Sequence, residues 1–207
     1  RAIPVGAYTY QPGIGYAITD DDPFTIEDFW AGTPTSVEKD VAEALRQIAN
    51  GLTLRGGRLL APYGIRFVIV PLADGANGTI ESPLQPPYGL IDVLDDQLDL
   101  AAPLTKPPNY IVYENTAYTP TRSLLSPKGV EASQQAGGEE LAQADLRGSV
   151  PFAVGSPDRG DAVGDVAAGT LHIGVPYDAH WQLTVDGQRV VGRRAFVSTL
   201  AFDVPAA

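Results

Sequence analysis

The stretch RLLAPYGIRFVIVP, Arg58 to Pro71, decides how the rest of the chain is read. Its second half, Ile65 to Pro71, is a β-branched apolar run of strand length, and a run of that kind predicts a buried strand. Upstream, across a Gly-rich joint, lies a predicted helix from Ser36 to Asn50. Thr35-Ser36-Val37-Glu38 fits a capping box, in which a hydroxyl and a carboxylate satisfy the free amides of the first turn. Val37, Val41, Ala44, Leu45 and Ile48 then recur at helical spacing, and Gly51 stands where a left-handed C-cap is wanted.

Downstream, Asp74 to Pro87 is rich in Gly, Asn, Ser and Pro and reads as a surface loop. Pro87 can open a helix over Tyr88 to Gln97, with Leu90, Ile91, Val93, Leu94 and Leu98 as one apolar stripe. Strands are predicted over Leu98 to Thr105 and Asn109 to Glu114. This alternation of helices and strands predicts a small α/β layer over residues 1–125. SPKGVEASQQAGGEELAQA, Ser126 to Ala144, is polar and small, and reads as a linker or mobile loop. Short strand-like runs follow: Ser149 to Val154, Gly169 to Val175, His180 to Val185, Arg189 to Val191 and Phe196 to Val204. Val185-Asp186-Gly187-Gln188 carries the Asp-Gly signature of a tight hairpin turn. The predicted fold is therefore an α/β (α+β) N-terminal lobe packed with a C-terminal antiparallel β-sandwich-like lobe over residues 145–207.

Composition narrows the function classes. The 207 residues are 44% hydrophobic and 19% charged, which describes a folded chain rather than a disordered one. A net charge of -11 with few, scattered cations argues against a nucleic-acid partner, because phosphate binding needs clustered Lys and Arg. The chain has no cysteine, which removes disulfides, thiolate metal sites and a Cys nucleophile. It has no apolar run near the roughly 20 residues that cross a bilayer. It also has no Met and starts at Arg1, so it reads as an excised or processed piece, and any membrane segments or targeting signals of its parent would lie outside it.

Several motifs compete for a chemical role. In TDDDPFTIEDFW, Thr19 to Trp30, Asp20 and Asp22 have the Asp-x-Asp spacing of a Mg²⁺ or Mn²⁺ site for a nucleotide sugar. A helix start explains more of the same residues: Asp22 as N-cap, Pro23 at the first helical position, and acids meeting the helix dipole. His172 and His180 are the only imidazoles, and no Gly-x-Ser-x-Gly elbow accompanies them. Adjacent acids such as Glu27 with Asp28, or Glu139 with Glu140, diverge by about 100° on a helix and read as solvated faces. Gly13 to Gly15 lacks the later glycine of a dinucleotide fingerprint, and Asn77-Gly78-Thr79 reads as a turn. No catalytic residue, metal ligand or cofactor site is assigned. Trp181 starts a strand and reads as core. Tyr113, Glu114, Asn115 and Arg122 are the candidate carbohydrate-binding residues, as a loop combining a ring with hydrogen-bonding groups.

Three phrases carry a family resemblance: LLAPYGIRFVIVP at Leu59 to Pro71, VYENTAYTPTR at Val112 to Arg122, and HWQLTVDGQRV at His180 to Val190. In that order they resemble the extracytoplasmic parts of polytopic bacterial membrane proteins of the glycosyltransferase-C and YfhO type. Large actinobacterial membrane glycosyltransferases, some with a family 2 catalytic domain, are especially similar. Thr121, between Pro120 and Arg122, departs from the family's aromatic, Asn, Pro-Arg phrase. The resemblance implies a noncatalytic domain at the extracytoplasmic face of the cell membrane, in an enzyme of cell-envelope polysaccharide or glycolipid synthesis. It would bind or orient glycan, or stabilise the assembly, with the membrane-embedded remainder of the polypeptide as its partner. The alternative is a stand-alone secreted carbohydrate-active hydrolase using a carboxylate pair.

Overall fold

The computed structural model describes residues 34–73, 79–102, 108–134, 138–152 and 164–206. The expectations placed on TDDDPFTIEDFW, on Gly13 to Gly15, on Glu27 with Asp28 and on Asn77 lie outside these residues.

The first helix, α1, spans Ser36–Ala49. Its capping box forms as the sequence predicts: the Glu38 amide donates to Thr35 Oγ1 at 3.2 Å, and the Thr35 amide donates to Glu38 Oε2 at 2.6 Å. Gly51 takes φ 64 just beyond the end. Val41, Ala44 and Ile48 are buried, and Val37 and Leu45 pack beside them. Helix α2, Gly56–Leu60, runs into a 3-10 turn at Ala61–Tyr63, which Gly64 ends in the left-handed region at φ 70.

Strand β1, Phe67–Pro71, is not the buried strand that its apolar run predicts. With β2, Leu100–Ala101, and β3, Tyr110–Asn115, it forms a sheet of order β1-β3-β2 in which both ladders are antiparallel. The core packs on only one face of β1. Val70 is buried, while Phe67 and Ile69 on the opposite face are 47% and 57% exposed. Arg66 helps to cover that face, with its guanidinium 5.1 Å from the Phe67 ring centre and 3.0 Å from Glu114 Oε1. Helix α3, Leu90–Asp95, is shorter than expected, because Gly89 enters it at φ 78 and Pro87 is not its first residue. Leu98 is 63% exposed rather than part of a core stripe. Its neighbour Gln97 is buried instead: Oε1 accepts from the Gly56 amide, and Nε2 donates to the carbonyls of Thr53 and Val93.

Residues 126–144, expected to form a linker, carry two helices: α4, Pro127–Ser133, and α5, Gly138–Gln143. Ser126 caps α4 by accepting from the Gly129 amide, with Pro127 in the first turn, a start signal that polar composition masks. Leu141 and Leu146 belong to the same buried cluster as Val41, Leu60, Tyr113 and Ala201.

The second sheet comprises β4, Arg122–Leu124; β5, Val150–Pro151; β6, Gly169–Pro176; β9, Gly192–Ala195; and β10, Thr199–Val204. Its order is β5-β4-β6-β10-β9, again with every ladder antiparallel. The fold is thus α+β with several antiparallel sheets. Strands β7, Leu183–Val185, and β8, Gln188–Val190, form a separate hairpin whose turn takes φ 50 at Asp186 and φ 78 at Gly187, the positive-φ pair that Asp-Gly predicts.

Period-2 alternation divides the faces of the five-stranded sheet. Ala195 and Ala201 join the large core with the helices, whereas Leu171, Leu200 and Phe202 pack with Trp181, Leu183 and Val190 of the hairpin segment. Among the described residues no helix is long and apolar enough to cross a membrane.

The β9–β10 connection is strained. Phe196 and Val197 have φ 46 and 75, and the Ser198 amide donates to the Phe196 carbonyl at 3.0 Å, closing a γ-turn of the rarer form around a β-branched residue. Because the Val197 side chain is 42% exposed, little packing is lost if it is removed. Val197→Gly is expected to stabilise the chain by about 1 kcal/mol, strain relief exceeding the added entropy of the unfolded chain. A melting temperature raised by about 2–4 °C checks this; an unchanged or lower value contradicts it.

Candidate functional site

The four residues expected to bind carbohydrate do not form one cluster. Alternation along β3 turns Tyr113 and Asn115 inward and Glu114 outward. Tyr113 is 1% exposed and donates through its hydroxyl to Asp95 Oδ1 at 2.8 Å; burial first, and then Asp95, push that hydroxyl well above its ordinary range. Asn115 is 2% exposed. Its Nδ2 donates to the carbonyls of Gly57 and Ile65 at 2.8 and 2.9 Å, and its Oδ1 accepts from the Ala117 amide at 2.9 Å. Asn115 ties the first sheet to α2 and Tyr113 ties it to α3, and neither offers a surface to a sugar. Glu114 is exposed and paired with Arg66.

Arg122 stands apart, on β4 of the second sheet. It is in register with Ile173 and so faces the hairpin side, whereas Ser123, in register with His172, faces the helices. Between this face and the hairpin lies a cavity of about 450 Å³. Its lining includes the charged Arg122, Asp165 and Asp186, the polar Gln182 and Thr184, the rings of Trp181, Phe152 and Phe202, and apolar residues such as Leu171 and Ile173. Among the described residues the Arg122 guanidinium makes no hydrogen bond or ion pair.

The segment that carries Trp181 is fixed from several sides. The Tyr177 amide donates to the Ser198 carbonyl at 2.8 Å, Arg194 stacks 5.0 Å from the Tyr177 ring centre, and the Trp181 amide donates to the Asp178 carbonyl at 3.2 Å. Asp178 accepts from both the amide and the ring Nδ1 of His180, bonds that hold its carboxyl below the usual range. His180 is thereby placed in an exposed turn.

His172 is the other imidazole, and it is fully buried. Thr199 Oγ1 donates to the Ala195 carbonyl at 2.7 Å, so the His172 Nε2 only 3.0 Å away carries the hydrogen and donates to that oxygen. Among the described residues Nδ1 has no partner, and the Phe196 ring lies edge-on at 5.0 Å. Burial, with a smaller effect from Arg193, pushes the ring pKa down to about 3. Ser198 donates to Asp40, not to an imidazole. With its one donor engaged and no serine on its rings, His172 has no part in a nucleophilic relay among these residues.

The cavity can therefore hold a small polar ligand against an aromatic face, with donors from Arg122 and acceptors from Asp165 and Asp186. Sequence reading singled out Arg122 but missed Trp181 as a lining residue and gave no role to Asp165. Asp186 was visible only as a turn residue. Comparison with protein-family models, with curated proteins and with solved structures finds no match.

Proposed function

We propose that the chain is a noncatalytic extracytoplasmic domain of a membrane-bound glycosyltransferase of cell-envelope polysaccharide or glycolipid synthesis, and that it binds or orients glycan in the cavity between hairpin and sheet. The observation that carries the reading is that Arg122, unpaired among the described residues, lines one cavity with Trp181. An aromatic face with a few convergent polar groups is the usual make-up of a small-ligand site, and rings of this kind stack on sugars. The family resemblance supports the cell-envelope assignment and gives membrane attachment to the remainder of the polypeptide. The hairpin over the five-stranded sheet supports the finer, sandwich-like description of the C-terminal lobe.

A second reading, a glycoside hydrolase, is favoured by one observation: Asp165 and Asp186 line the same cavity, as a working carboxylate pair would. Calorimetry with envelope-polysaccharide fragments, alongside hydrolysis assays on the same fragments, separates the two. Binding at millimolar concentration without turnover is expected. Turnover that is lost in Asp165→Asn or Asp186→Asn overturns the noncatalytic reading in favour of the hydrolase.

A further inference from the structure

We infer that the cavity selects a neutral pyranose, held through its hydroxyl groups, over a uronate or a sugar phosphate; this inference rests on the glycan reading of the cavity. Guanidinium has five donors and no acceptor, and an ionised carboxylate accepts only. The charged residues of the lining are therefore one donor, Arg122, and two acceptors, Asp165 and Asp186, beside Gln182 and Thr184, which can both donate and accept. A sugar hydroxyl accepts and donates at once, so vicinal hydroxyls can satisfy both kinds of group. A ligand carboxylate or phosphate has only acceptors to offer. It can pair with Arg122, but it also meets two like charges in a chain of net charge -11.

The rest of the lining agrees with a sugar ring. Trp181 can supply a face for the apolar C–H side of a pyranose, and Leu171, Ile173 and Phe202, packed in the same cluster, add apolar lining. A volume of about 450 Å³ fits a short saccharide rather than a polymer segment in bulk. No ion pair joins Arg122 to either aspartate among the described residues, so ligand hydroxyls bridging them break no existing contact.

The test is an NMR titration of the 207-residue chain, read at the Trp181 indole and the hairpin amides. The probes are methyl β-D-glucopyranoside, methyl β-D-galactopyranoside and methyl α-D-mannopyranoside, against methyl β-D-glucuronide and glucose 6-phosphate. At least one neutral glycoside is expected to saturate in the millimolar range, with both acidic probes at least tenfold weaker. Arg122→Gln should weaken the neutral probe at least tenfold. Asp186→Asn, at an exposed turn where Asn tolerates positive φ, should weaken it too and narrow the gap to the glucuronide. Amide dispersion confirms that each variant is folded. Tighter binding of an acidic probe overturns this inference and leaves the glycan reading standing. Shifts absent from the cavity with every sugar overturn the glycan reading itself, and this inference with it.

Discussion

Asn115→Ala is expected to lower the unfolding free energy by about 4 kcal/mol, because it orphans two buried and one part-buried backbone groups at once, and a buried one costs about 1–3 kcal/mol. Those groups, the carbonyls of Gly57 and Ile65 and the amide of Ala117, belong to α2, to the chain leading into β1 and to the turn after β3. One side chain therefore fixes the relative placement of a helix and a sheet edge. A Cβ at Gly57 would lie 2.5 Å from Asn115 Oδ1 and 2.6 Å from Asp99 Cβ, so Gly57→Ala disturbs the same junction by overpacking. Residues in such direct contact are expected to be non-additive when both are changed. Urea unfolding of the two single variants and the double variant checks this. A loss below about 1 kcal/mol for Asn115→Ala means that the junction is not held this way.

The second large effect is a pH dependence centred on His172. Its folded pKa is depressed to about 3 by burial, against an ordinary value of 6.5. Between those values the unfolded chain binds a proton that the folded chain refuses, so stability is complete above about pH 6.5 and is lost as pH falls. One proton per chain corresponds to about 1.4 kcal/mol per pH unit. About 2 kcal/mol should therefore go between pH 6 and pH 4.5. Asp203, held below the usual carboxylate range by hydrogen bonds from Arg193 and Thr170, has the same sign, but its loss begins only near its lower, ordinary carboxylate range. His172→Gln should flatten the slope between pH 6 and pH 4.5 even if it costs stability at neutral pH. An undiminished slope in that variant assigns the proton uptake to another group.

Helix α1 was legible in the sequence because its information is local: Thr35, Glu38, Gly51 and the Val41-Ala44-Ile48 spacing each act within a turn of the backbone. Asp186-Gly187 was legible for the same reason. The apolar run of β1 was not, since Phe67 to Val70 cannot say whether both faces will be covered; that depends on how β3 pairs and where the helices lie. Ser126-Pro127 did announce a helix, but neighbouring Gly, Gln and Ser residues outweighed the signal. The cavity was least legible of all. Arg122, Asp165, Trp181 and Asp186 meet only after the hairpin folds back over the sheet, and no sequence spacing records that closure.

The central claim, that this cavity receives glycan, is tested most directly by the fluorescence of Trp181 in a Trp30→Phe background, where it is the only indole. Titration with envelope-polysaccharide fragments should shift and saturate its emission at millimolar concentration, and Arg122→Gln should abolish the response while leaving the unliganded spectrum unchanged. Emission that stays constant throughout, from a protein shown to be folded, contradicts the claim.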